Sequence, residues 1–340
     1  MLARSLQRYA LDWRTPPATA SGVPPRRSGW LVQLRDGAHE GVGDAAPWES
    51  WGTESEDACE SALVRWQQTG EEPGVETPIA RSAVHTAETA LAAHRAGLPL
   101  AHFLAHRERT DALTATSHAL TASGPLAPQL EAAAAAGYRA VKVKVSPASA
   151  PEVAALLATA LHTRLGLSVR LDGNRSFVTP ADDIALDALR CPGLSFIEEP
   201  FAAARRPYFL TRVREGQGAF AFDESMAELG VDELLSLAPH ATFVLKPAVL
   251  GGVTRTYDLG RRLHAAGGQI LVTNFIESAV GRLAARHLSA ALESAAGAYA
   301  GGHATGGLLA SDLYELPDAP HWEVPRWPGL GLEHLHATRS

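Results

Sequence analysis

The chain has 340 residues, a formal charge of −7, 20% charged side chains and 46% hydrophobic ones. Thirty basic residues mixed among 37 acidic ones leave no basic face and argue against a nucleic-acid partner, while two distant cysteines, Cys59 and Cys191, argue against a disulfide framework or a zinc–cysteine site and fit a reducing compartment. The alanine-rich stretches fall far short of the roughly 20 residues of a membrane span, and the opening residues hold no apolar run of signal-peptide length, so a soluble cytoplasmic protein is expected.

Residues 14–27 (RTPPATASGVPPRR) read as a long exposed loop, a candidate lid. Within it Arg26 and Arg27 have two readings, attraction of a substrate carboxylate or plain solvation. Residues 29–36 alternate apolar and polar as a half-buried strand, Gly37 turns the chain, and 40–46 return antiparallel. Helical patterns cover 55–69, with Ser55 as N-cap, and 79–96, closed by Gly97 and Pro99.

From about residue 112 short apolar strands alternate with alanine- and leucine-rich helical stretches. The predicted strands are 113–119, 139–145, 168–172, 194–198, 219–223, 242–246, 269–273 and 298–303. Helices such as 152–165, 181–189, 253–266 and 280–292 lie between them. Eight such repeats predict a (β/α)8-type barrel over 111–311, with a doubly wound open sheet as the alternative. The Pro-rich tail from 313 onward cannot form another repeat. It is expected to pack back on the N-terminal region, so that 1–110 and 312–340 build an α+β capping domain.

Five consecutive predicted strands end on an ionisable residue: Lys144, Asp172, Glu198, Asp223 and Lys246, spaced 28, 26, 25 and 23 residues apart. A lysine that ends a strand is usually just solvated, but five charges in register on successive repeats point to one cluster at the C-terminal face of a barrel. Three crowded carboxylates raise one another's pKa unless a cation neutralises them. Asp172, Glu198 and Asp223 offer hard oxygen ligands without Cys or His, which selects Mg²⁺ or Mn²⁺. Lys144 and Lys246, from the second and sixth strands, are placed to act as base and acid on opposite faces of one bound carbon. Lys142, two residues before Lys144, shares its face, disfavours protonation of Lys144 and is within reach of a ligand carboxylate. Asn174 and Glu224 are supporting polar residues. His303, near the end of the last strand, is a further candidate contact. Signatures of serine hydrolases, zinc proteases, P-loop NTPases and Rossmann dehydrogenases are absent from the sequence.

In order and spacing, VKVKV at 141–145, LDGN at 171–174, IEEP at 197–200, DES at 223–225 and LKP at 245–247 resemble the enolase superfamily, and GLPLAHFL at 97–104 is similar to its junction between cap and barrel. TNFIESAVG at 273–281 is similar to the substrate-carboxylate segment of the o-succinylbenzoate synthase family, which implies substrate contacts by Thr273, Asn274, Glu277 and Ser278. That resemblance implies a hydro-lyase of menaquinone biosynthesis acting on a small carboxylate: syn dehydration of 2-succinyl-6-hydroxy-2,4-cyclohexadiene-1-carboxylate to o-succinylbenzoate. Lys144 would remove the α-proton and later protonate the leaving hydroxyl. Mg²⁺ on Asp172, Glu198 and Asp223 would stabilise the ene-diolate, with Lys246 as electrostatic stabiliser. Dipeptide epimerases share these motifs but add an Asp-x-Asp after the last strand, and 298–311 holds no acidic residue. N-acylamino acid racemases and muconate-type cycloisomerases remain open. A noncatalytic metal-binding barrel is the reading outside the enzymes.

Overall fold

The computed structural model describes residues 2–17, 19, 22–122 and 124–338. The loop expected at 14–27 therefore lies partly outside the described residues. Two compact units emerge, Met1–Thr116 with Leu245–Arg262 and Leu271–Ser340, and Ser117–Val244 with Leu263–Ile270.

In the first unit, β1 (Ala3–Leu11), β2 (Arg27–Asp36) and β3 (His39–Ala45) form an antiparallel sheet in that order. Gly37 makes the β2–β3 turn at φ +61°, a conformation that costs glycine little. Helix Glu56–Thr69 starts where Ser55 Oγ accepts the Ala58 N–H, and Pro78–Arg95 starts where the buried Glu54 carboxylate accepts the N–H groups of Ile79 and Ala80. The second helix lies close on β3: a Cβ at Gly41 would stand 2.0 Å from Ala87 O, and one at Gly43 2.0 Å from Ala83 O. Trp30, Val32 and Leu34 of β2 close a core with Leu63, Trp66, Ile79, Val84 and Leu91. Burying each aliphatic side chain contributes about 1.5–3 kcal/mol.

Strand β4 (Thr114–Thr116) departs from expectation. It pairs antiparallel with His321–Glu323 of the tail, and the Thr116 N–H and Oγ1 both donate to Glu293. The predicted first barrel strand is thus divided, and only β5 (Ala119–Leu120) enters the barrel sheet. The tail returns as expected: Leu100 N–H donates to Gly329 O and Gly329 N–H to Leu98 O.

The barrel sheet continues with β6 (Ala140–Lys144), β7 (Ser168–Asp172), β8 (Leu194–Glu198), β9 (Phe220–Phe222), β10 (Ala241–Leu245), β11 (Gln269–Thr273) and β12 (Tyr299–Gly302). Its eight strands run β5 to β12 in strict sequence order. An open doubly wound sheet would reverse order at a switch point, so the architecture is the (β/α)8-type barrel with an added α+β region. The helix expected at 152–165 breaks into Ala150–Ala158 and Leu161–Arg164 at Ala160 (φ +54°), and the buried His162 reaches the Pro192 carbonyl. Helix Ala279–Ala296 is buried along nearly its whole length, and its buried Arg282 is paired with Asp312 and Asp318, as a buried charge requires. No helix among the described residues is long and apolar enough to cross a membrane.

Candidate active site

In the second unit the parallel register sets Lys144 beside Asp172 and Asp172 beside Glu198, while Asp223 directly follows β9. The three carboxylates are almost fully buried, at 3%, 0% and 6% exposure. Lys142 Nζ lies 2.9 Å from Asp172 Oδ2 and 2.8 Å from Glu198 Oε1. Lys144 Nζ lies 3.7 Å from Asp172 Oδ2, donates to Asn174 Oδ1, and keeps 39% of its side chain exposed. It is the lysine of the pair open to an incoming molecule. Asn174 also donates its N–H to Asp172 Oδ1.

Charge balance makes this cluster unusual. Burial raises the Glu198 pKa, Lys142 opposes it, Asp172 and Asp223 add to it, and the result is about 8. Burial alone would lower the Lys142 pKa, but Asp172, Glu198 and Asp223 outweigh it and raise it. Two ammonium groups, Lys142 and the half-exposed Lys144, stand beside three carboxylates. The buried Glu198 Oε2 accepts no hydrogen bond, although a buried acceptor normally finds a donor. Among the described residues no three His, Cys, Asp or Glu side chains stand as a ready chelate; Asp172 and Glu198 close instead on the Lys142 ammonium. The all-oxygen donor set, the charge deficit and the open Glu198 oxygen nonetheless fit a hard divalent cation.

Behind these carboxylates stands a second network that the sequence did not disclose. Glu199, 2% exposed, accepts from the Asp223 and Ser225 N–H groups through Oε2, and from Arg175 through Oε1. Glu224 opens the short turn after Asp223.

In the first unit Lys246 immediately follows β10. Its Nζ stands 4.9 Å from the centre of the Trp51 ring and 5.9 Å from that of Phe275, both within cation–π range. Phe275 meets Trp51 edge-on, with centroids 4.8 Å apart. Ser82 Oγ donates to the carbonyl of the next residue, Pro247, at 2.6 Å.

The turn after β11 is built largely from its own side chains. Asn274 Oδ1 accepts from Ile276 N–H and Thr305 Oγ1, and its Nδ2 donates to Gly302 O. Glu277 accepts the Phe275 N–H; burial first, then Asp44, lifts its pKa to about 7. Ser278 Oγ donates to Asp44 and accepts from Val280 N–H, capping helix Ala279–Ala296. Of the four candidate substrate contacts, only Thr273 has a buried side-chain oxygen without a hydrogen-bond partner. His303 is buried with both ring nitrogens unpartnered, and burial lowers its pKa to about 3.

Arg27 resolves between its two readings in neither's favour. It is fully buried and donates to the carbonyls of Ala46, Pro47, Phe275 and Ile276, so it braces the positive-φ Ile276 turn (φ +55°). Arg26 pairs with Asp12 at 2.6 Å. A cavity of about 330 Å³ near Leu194, Ala219 and Phe220 lies at the N-terminal ends of β8 and β9, whereas the carboxylates stand at the C-terminal ends.

The model of the enolase C-terminal domain-like family matches residues 126–337. Among similar proteins, an o-succinylbenzoate synthase of Yersinia pseudotuberculosis serotype O:3 (strain YPIII) is 29% identical, covering 98% of each chain. The crystal structure of a dipeptide epimerase from Methylococcus capsulatus, complexed with Mg and the dipeptide L-Arg-D-Lys, superposes with a TM-score of 0.79 at 25% identity, over 97% of this chain and 99% of that one. Muconate lactonizing enzyme from Pseudomonas fluorescens, complexed with muconolactone, shares the fold with a TM-score of 0.77 at 23% identity, over 99% and 97% of the two chains.

Proposed function

Because the chain belongs to the enolase C-terminal domain-like family, and so to a superfamily of enzymes, we propose that it is a hydro-lyase of the o-succinylbenzoate synthase type. The reaction is syn dehydration of 2-succinyl-6-hydroxy-2,4-cyclohexadiene-1-carboxylate, a step of menaquinone biosynthesis in the cytoplasm. The observation that carries the reading is the row of Lys144, Asp172 and Glu198, with Lys142 bridging the two carboxylates. Asp172, Glu198 and Asp223 would hold Mg²⁺ (or Mn²⁺), which when bound supplies positive charge to a substrate carboxylate and acidifies its α-proton.

Lys144 takes that proton at Nζ, and the resulting ammonium returns it to the departing hydroxyl, which leaves as water. Asn174 orients the lysine through its Oδ1. Lys142 keeps two carboxylates from separating. Lys246 serves as a fixed positive charge to the substrate, with the aromatic rings of Trp51 and Phe275 around its Nζ. Thr273 supplies a hydroxyl to the substrate, while Asn274, Glu277 and Ser278 shape the turn that carries it, and Glu224 supports the segment after Asp223.

A second reading, N-acylamino acid racemase, makes Lys246 a true acid/base in a two-base racemisation. The acid-free segment 298–311 argues against a substrate bearing a free ammonium. Replacing Lys144 or Lys246 with alanine is expected to abolish turnover while the melting temperature and Mn²⁺ binding stay near wild type. Full activity in either variant would sink the assignment. Proton–deuterium exchange of N-succinylamino acids at both enantiomers, with no aromatisation of the cyclohexadiene, would establish the racemase instead.

A further inference from the structure

The three loops that follow β7, β8 and β9 are held together by one side chain. Arg175 Nε and Nη2 donate to Glu199 Oε1 at 3.2 and 3.0 Å, Nη2 also reaches Ser225 Oγ at 3.2 Å, and Nη1 and Nη2 grip both oxygens of Glu228 at 2.9 and 2.8 Å. Each loop begins with one of the carboxylates Asp172, Glu198 and Asp223. Backbone contacts tighten the first two loops further: Gly173 N–H donates to Glu198 O and Arg175 N–H to Glu199 O, and a Cβ at Gly173 would stand 2.6 Å from Pro200 Cα. The third loop joins through Glu199 Oε2, which accepts the Asp223 N–H at 3.0 Å.

Backbone conformation marks the same place. Asn174 (φ +41°), Arg175 (φ +58°) and Glu199 (φ +37°) are three of the six described non-glycine residues with positive φ. Side-chain-bearing residues hold such angles only where their surroundings over-determine them. Three carboxylates at the mouths of neighbouring loops repel one another and would drive those loops apart before any cation arrives. A planar guanidinium with five donors spans three loops where a lysine, with a single nitrogen, would not.

We infer that Arg175 and Glu199 are positioning residues which staple the three carboxylate-bearing loops and preorganise them for the divalent cation. This rests on the cation reading above and extends it to residues that contact neither cation nor substrate. Outer partners of this kind typically change metal affinity by roughly 10–100-fold when removed.

The test is calorimetric titration of Mn²⁺ into the full-length wild type and the Arg175→Met, Glu228→Gln and Asp223→Asn variants, with the cation-free melting temperature of each. Arg175→Met is expected to bind Mn²⁺ about 10–100-fold more weakly and Glu228→Gln several-fold more weakly. A residue that served only stability would lower the melting temperature and leave the affinity of the folded protein unchanged. The inference falls if Arg175→Met, or Glu228→Gln should the first not fold, binds Mn²⁺ as the wild type does while Asp223→Asn does not. A flat wild-type titration would instead overturn the cation site itself, and the staple's purpose with it.

Discussion

Replacing Gly43 with alanine perturbs the candidate site from a distance. The new methyl would stand 2.0 Å from Ala83 O in helix Pro78–Arg95, against an ordinary contact of 3.4 Å or more, so strand and helix must separate by more than about 1 Å. Overpacking of this kind costs about 1–3 kcal/mol, which lowers the melting temperature by several degrees. The same helix carries Ser82, whose hydroxyl holds the Pro247 carbonyl at 2.6 Å, beside Lys246. It also packs on Gly252, where a Cβ would meet Ser82 O at 3.1 Å. A shift of more than 1 Å along the Ser82–Pro247 bond carries it past hydrogen-bonding distance and loosens the segment that presents the lysine. Misplacement by about 1 Å costs on the order of 100-fold in rate. Steady-state kinetics at a temperature where the variant is folded should therefore show kcat reduced about 10–100-fold, and Ser82→Ala should reproduce part of the kcat loss with little change in melting temperature. Wild-type kcat in Gly43→Ala, with or without a drop in stability, would refute the coupling.

Arg27→Met should destabilise the fold by about 3–5 kcal/mol in denaturant titrations, because four buried carbonyls lose their donor; a loss below about 1 kcal/mol would contradict its role as the brace of the Ile276 turn. Burial lowers the pKa of His287 and of His303 to about 3, from 6.5. Between those values the unfolded chain binds more protons than the folded one, so this contribution is fully present above about pH 6.5 and is lost as pH falls toward 3. Glu277, raised from 4.5 to about 7, acts in the opposite direction between those two values. His303→Gln should accordingly flatten the acid side of the stability–pH curve by a few kcal/mol, and an unchanged acid limb would contradict the burial of a neutral imidazole.

The strand-ending charges were legible in the sequence because two rules coincide there. A strand's two-residue period fixes which side chains share a face, and the near-constant repeat length returns the chain to the same end of the sheet. Lys142, Lys144, Asp172 and Glu198 meet for those reasons. Strand β1 escaped notice because it is mostly exposed, with Arg4 and Arg8 interrupting any apolar alternation and only Tyr9 and Leu11 buried. The division of the first barrel strand depends on Glu293 and on the tail, each about 180 or more residues away in sequence. Asp44, which joins Tyr9 to Ser278, depends likewise on contacts 35 and 234 residues apart. No local pattern encodes such partners. Asn274, Glu277 and Ser278 were readable as a polar segment, but not as residues that spend their hydrogen bonds on their own turn. Arg175 looked like any loop arginine, since its role exists only once three loops are side by side.

Dehydratase activity is measured by mixing the purified chain and Mg²⁺ with 2-succinyl-6-hydroxy-2,4-cyclohexadiene-1-carboxylate and following the ultraviolet absorbance. Rapid loss of the diene band with formation of the aromatic product is expected, suppressed by chelation and absent in Lys144→Ala. Aromatisation no faster than in buffer, with the protein folded and Mg²⁺ in excess, would contradict the hydro-lyase assignment.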